Sequence, residues 1–110
     1  LRSTSSIKFK SNVKTLLDSD ADKILQCRPV TYQPKDTGDN TQGSDPTKTF
    51  YGLIAEEVEV IDPRLVGYDS EGTIQNVEYD RFVPHLINLV KRQSAEIETL
   101  KTKVAALESA

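Results

Sequence analysis

Apolar and polar positions alternate only weakly at the start of the chain. Ile7, Phe9 and Val13 stand apart among serines and lysines, the pattern of a short edge strand or an extended arm. The segment DSDADKILQC then offers Asp18, Ser19 and Asp20 as N-caps and places Leu17, Ala21, Ile24 and Leu25 on one helical face, predicting a short helix stopped by Pro29. RPVTYQP reads as a strand with Val30 and Tyr32 on one side, closed by Pro34. From Lys35 to Thr49 no apolar side chain is larger than proline, so residues 35–49 are expected to protrude as a loop. TFYGLI resumes as a strand, and AEEVEVIDP predicts a brief helix with Ala55, Val58 and Ile61 inward, ended by Asp62 and Pro63. LVGYDSEGTIQNVEY supplies two short strands around a turn at Asp69 to Gly72.

Beyond Asp80 the pattern changes to a seven-residue period without glycine. Val83, Val90, Ile97 and Val104 occupy one position of the repeat, a, and Leu86, Gln93, Leu100 and Leu107 the other, d. So narrow an apolar seam suits a coiled coil better than the face of a globular helix. Glu96 and Lys103 fall at g, and Lys101 and Glu108 at e. These charges pair in opposite sign in a parallel bundle and equally well in an antiparallel one, so orientation stays open. β-branched residues at a with leucine at d lean towards two strands. The other reading is one long amphipathic helix packed on its own domain. Gln93, an amide in the seam, is suited to fixing register and oligomer state. The expected fold class is α+β, with short strands and short helices in residues 1–82 and a long helix in residues 83–110.

Size and composition narrow the function. A chain of 110 residues, 36% hydrophobic and 6% aromatic with no tryptophan, has a thin core that association would help. A net charge of −3 without a clustered basic face argues against nucleic acid as a partner. No apolar run is long enough to span a membrane, and no signal-peptide core stands at the start, so a soluble protein is expected. The lone Cys27 reads as a small buried hydrophobe, and with His85 as the single histidine neither a thiol catalyst nor a metal site is expected. Glu56, Glu57 and Glu59 read as a solvated acidic face or as partners for a basic residue of the N-terminal segment.

The order of these elements resembles a known family. The start Ser5-x-x-Lys8-x-Lys10-x-Asn12, the phrase ILQCRPVTYQPK, YGLIAEEVEVIDPRLV and VEYDRFVPHLINLVKRQSAEIETL together are similar to the C-terminal intramolecular chaperone domain of phage tailspikes, tail fibres and neck appendages. Such domains cleave themselves off after assembly, and the same module occurs in the myelin regulatory factor family of membrane-anchored transcription factors. The resemblance implies a homotrimer, a fibrous upstream segment of the same polypeptide as partner, no cofactor, and a place in the host cytoplasm during virion assembly. It also implies a serine-lysine dyad: Ser5 as nucleophile, Lys10 as general base, Asn12 at the matching asparagine and Thr4–Ser5 as the scissile bond. Ser6 stands where the family has aspartate and Lys8 where it has arginine, a swap that keeps charge but loses the planar fork.

The chemistry is coherent on its own terms. A serine hydroxyl needs a base, and a lysine serves once desolvation or nearby cations bring its pKa from about 10.4 towards about 7–8. Lys8, Lys10 and Lys14 crowd one short stretch. Asn12 would donate a side-chain N–H to the developing oxyanion, a contribution of about 3 kcal/mol at comparable sites. The alternatives are a non-catalytic trimerisation module and the same self-cleaving module in a membrane-anchored transcription factor.

Overall fold

The computed structural model describes residues 5–36 and 45–110. Its centre is the helix α2 (Ala55–Ile61) laid against an antiparallel hairpin of β3 (Val66–Tyr68) and β4 (Ile74–Val77). Val58, Leu65, Val66, Val77 and Phe82 form the buried core, with Ile24, Cys27, Leu53, Ala55 and Ile74 packed around it. Burial raises the pKa of the Cys27 thiol, in keeping with a small apolar filler. Opposite Val58, the outward Val60 is 86% exposed, so this short helix buries a single stripe.

Local chemistry sets where these elements end. Asp62 stops α2 and its carboxylate accepts from the backbone N–H of Arg64 at 3.0 Å, capping a 3-10 helical turn over Pro63–Leu65. Proline suits that first position because its missing N–H would have no helical partner. Asp62 is only 3% exposed, and the Arg64 guanidinium donates to both its oxygens at 3.0 and 2.9 Å. These bonds hold the carboxyl below the usual carboxylate range. Arg64 and Lys23 also reach Asp20, at 3.3 and 3.2 Å, which ties the N-terminal helical segment to the core. The hairpin turns on Asp69, whose carboxylate accepts from Glu71 N and Thr73 N, both at 2.9 Å, and on Gly72 at φ +82°.

A second antiparallel pair, β1 (Val30–Tyr32) with β2 (Phe50–Gly52), registers Val30 to Gly52 and Tyr32 to Phe50. Gly52 is required by close approach, since a Cβ there would lie 2.9 Å from the Tyr79 hydroxyl and 3.1 Å from the Tyr32 ring. That hydroxyl accepts the Leu53 N–H at 2.9 Å and so joins β2 to the root of the last helix.

The last helix, α3 (Phe82–Glu108), is continuous over 27 residues, about 40 Å at the usual rise. Its first turns bury Phe82 and Leu89. Asn88 donates to the Asp18 carboxylate at 3.0 Å, and Arg92 bonds to Asp22, which docks α3 on α1 (Asp18–Ala21) and the 3-10 turn that follows it. From Gln93 onward every residue is exposed. The architecture is therefore α+β, short elements followed by one long helix.

Two expectations change, and a third lies largely outside the described residues. The N-terminal segment is no strand: it holds a 3-10 turn at Ile7–Phe9 and is otherwise irregular. The candidate caps Asp18, Ser19 and Asp20 lie inside the helical segment instead, with Leu17 at the cap position, because the aspartates are engaged by Asn88, Arg92, Lys23 and Arg64. In the 35–49 loop, residues 37–44 lie outside the described residues; at its end Asp45 accepts from Thr47 N and Oγ1, at 2.9 and 2.6 Å.

Candidate functional site

The N-terminal arm is built by one short turn. The Ser6 hydroxyl accepts from Lys8 N at 3.4 Å, and the backbone bonds Phe9 N to Ser6 O and Lys10 N to Ile7 O, each 3.0 Å, close the turn. That reversal carries Lys10 back over the residue five places before it, where Nζ donates to the Ser5 carbonyl oxygen at 2.7 Å. Asn12 then adopts φ +54°, a left-handed conformation that asparagine tolerates better than most residues, and redirects the chain. Every residue from Ser5 to Thr15 is exposed, including Ile7 at 70% and Phe9 at 61%.

Of the candidate residues, Ser5 and Lys10 are therefore together, joined through the serine carbonyl rather than its hydroxyl. Asn12 lies beyond the turn, with no hydrogen bond to either of them among the described residues. Thr4 lies outside the described residues. The Ser5 carbonyl oxygen is within reach of the amine, and both residues are exposed.

The acidic residues of α2 are not a uniform solvated face. Glu57 accepts both arms of the Arg28 guanidinium, at 2.7 and 3.2 Å, and this pairing lowers its pKa. Glu59 accepts the Tyr68 hydroxyl at 2.6 Å and raises the pKa of that phenol. The Glu57 partner comes from the RPV-x-Y phrase and not from the N-terminal segment. Two motifs far apart in sequence thus meet, which periodicity had no means of indicating. Glu56 remains at the edge of an open groove of about 410 Å³ between the two sheets.

The predicted seam lies on the outer face of α3. Val83, Leu86, Val90, Ile97, Leu100, Val104 and Leu107 range from 50% to 76% exposed, and Gln93 is exposed among them. Ile87, 53% exposed, flanks the seam and was missed by the two-position pattern. Also missed was the second stripe of Phe82, His85, Leu89 and Arg92. Half of it is polar, so an apolar count passes over it. His85 is half-buried and its Nδ1 donates to the Arg81 carbonyl at 2.9 Å, a structural position. Among the described residues no helix is long and apolar enough to cross a membrane.

No curated protein matches the chain. The profile of a protein family described as chaperone of endosialidase matches residues 5–67, more than half of the 110. The matched span begins at Ser5 and runs through the arm, the Arg28–Glu57 pair, both strands of the first sheet and α2. With a match over more than half of its length, taking in the arm and Val58, Leu65 and Val66 of the core, the chain belongs to the chaperone of endosialidase family.

Proposed function

We propose that the chain is an intramolecular chaperone that joins three copies through the α3 seam, aligns a fibrous upstream segment of a phage tail protein, and then frees itself by cutting Thr4–Ser5. The carrying observation is the Lys10 ammonium 2.7 Å from the Ser5 carbonyl oxygen, on an arm that a single copy leaves wholly in water. The exposed seam supports the association that would change this environment. Alignment matters because intertwined chains gain nothing from long-range pairing until their ends are close.

In the proposed reaction neutral Lys10 takes the proton of Ser5 Oγ, and the oxygen attacks the Thr4 carbonyl carbon. The developing oxyanion is met by the Asn12 amide. The C–N bond breaks, the proton passes from Lys10 to the leaving Ser5 amine, and water hydrolyses the Thr4 ester to leave a carboxylate and the restored hydroxyl. Attack by the Ser5 of a neighbouring copy follows the same balance. The 35–49 loop serves as an arm around the stem, and release leaves the product kinetically trapped.

The test is expression with the upstream segment followed by a denaturing gel and mass measurement. A fragment starting at Ser5, absent in Ser5→Ala and in Lys10→Ala, is the expected result. An intact band from the unmodified protein favours a non-catalytic trimerisation module, a reading to which the lysine's choice of carbonyl over hydroxyl lends support.

A further inference from the structure

The groove between the sheets has a matching occupant in the chain's own sequence. Its floor and walls are Leu53, Ala55, Val77, Tyr32 and Tyr79, and Glu56 stands on its rim. Both tyrosines are about half exposed, at 45% and 53%. The arm of the same copy does not fill it, since Ser5 to Thr15 are all exposed. That arm presents what the groove lacks: the exposed apolar side chains Ile7 and Phe9, the latter covered by the Lys8 ammonium 5.1 Å from its ring centre, and the cations Lys8, Lys10 and Lys14 with no acid from Ser5 to Leu17. α2 carries three glutamates and no base, and of these Glu56 is the one not held by Arg28 or Tyr68. Tyr79 of the groove wall stands four residues before Val83, the first position of the seam.

We propose that this groove receives the arm of a second copy, with Phe9 seated between Tyr32 and Tyr79 and Lys8 against Glu56, so that the neighbour supplies the cover the Ser5–Lys10 pair lacks. The inference rests on the proposed self-cleavage for its consequence but not for its geometry. Docking removes Phe9 from water, brings opposite charges together at the rim, and leaves Lys10 on Ser5 in a drier place. The site is then incomplete in any single copy, which couples cleavage to assembly.

Two differently tagged full chains, both Cys27→Ala, test it by co-expression: one with Ser11→Cys on the arm, the other with Gln75→Cys on the groove wall, which leave Phe9, Lys8 and Glu56 in place. All three positions lie outside the residues assigned to the chemistry and to the docking contacts, and Ser11 and Gln75 are exposed. An oxidant should give a disulfide joining the two tags. Assembled protein without that adduct, or a groove occupied by the upstream segment, overturns the proposal, as does failure to assemble. Charge reversal sharpens it: Lys8→Glu and Glu56→Lys should each slow release about tenfold, and the double variant should recover most of the rate. An adduct without cleavage leaves docking standing and removes the dyad; cleavage without an adduct does the reverse.

Discussion

Phe82 and Leu89 are 8% and 7% exposed, whereas the next residues along, Val83 and Val90, are 50% and 58% exposed. One residue is a rotation of about 100° on a helix, and that rotation separates the stripe of α3 that folds the domain from the stripe that is left over. The inner stripe is short, ending at Arg92 where α1 ends its reach; the outer one runs on to Leu107. Folding and the proposed association thus draw on different side chains of one element, so each should be alterable with the other intact.

Ile97→Asp should break the comparison most severely. Placed in a closed seam, an aspartate in every copy leaves repelling, desolvated charges that cost several kcal/mol, on the order of 3–5. Sedimentation should report single copies while circular dichroism of the head is retained, because Ile97 lies beyond every contact of the core. Leu89→Ala should do the opposite, lowering the unfolding free energy by about 2–5 kcal/mol in denaturant titration with the outer stripe untouched. If both variants lose structure and association together, the two stripes are not separable.

A smaller effect is expected at Asp62, where the cap of the Pro63–Leu65 turn and the Arg64 pair meet on a buried carboxylate. Asp62→Ala should cost about 2 kcal/mol, combining a lost cap with an unsatisfied neighbour. Its folded pKa is lowered, so the native state favours the ionised form. That stability is fully present above the ordinary carboxylate pKa of about 4, and is lost as pH falls through the lower folded value. Thermal melts of the unmodified protein from neutral pH downward should show it, and the Asp62→Ala variant should flatten that part of the profile. Gln93→Leu is expected to do least to the head and to raise the Tm of the assembled form, with a spread of oligomer sizes in sedimentation as its register constraint is lost.

Much of this architecture was readable from spacing. The β1, β2, β3 and β4 runs, α2 and the long helix all carry periods of two, 3.6 or seven residues that survive folding nearly to the residue. The arm was not readable as a turn, because Ile7 and Phe9 alternate as a strand would while having no strand beside them to pair with. The Arg28–Glu57 pair links residues 29 apart, a distance at which sequence pattern holds no register. At the candidate site, Ser5 and Lys10 were named through the family resemblance and not through spacing, and the contact the structure shows runs through the Ser5 carbonyl oxygen, a choice between two oxygens of one residue that neither source indicates.

The bare outer half of α3 also orders events in time. From Gln93 to Glu108 it extends about 24 Å past its last anchor on the head. Because it follows residues 5–92 in the chain, a ribosome makes it only after they have been synthesised. Were the proposed association to begin at this mast, half-made copies would be left out of it, and a polypeptide would have to be translated through the mast before enlisting its siblings.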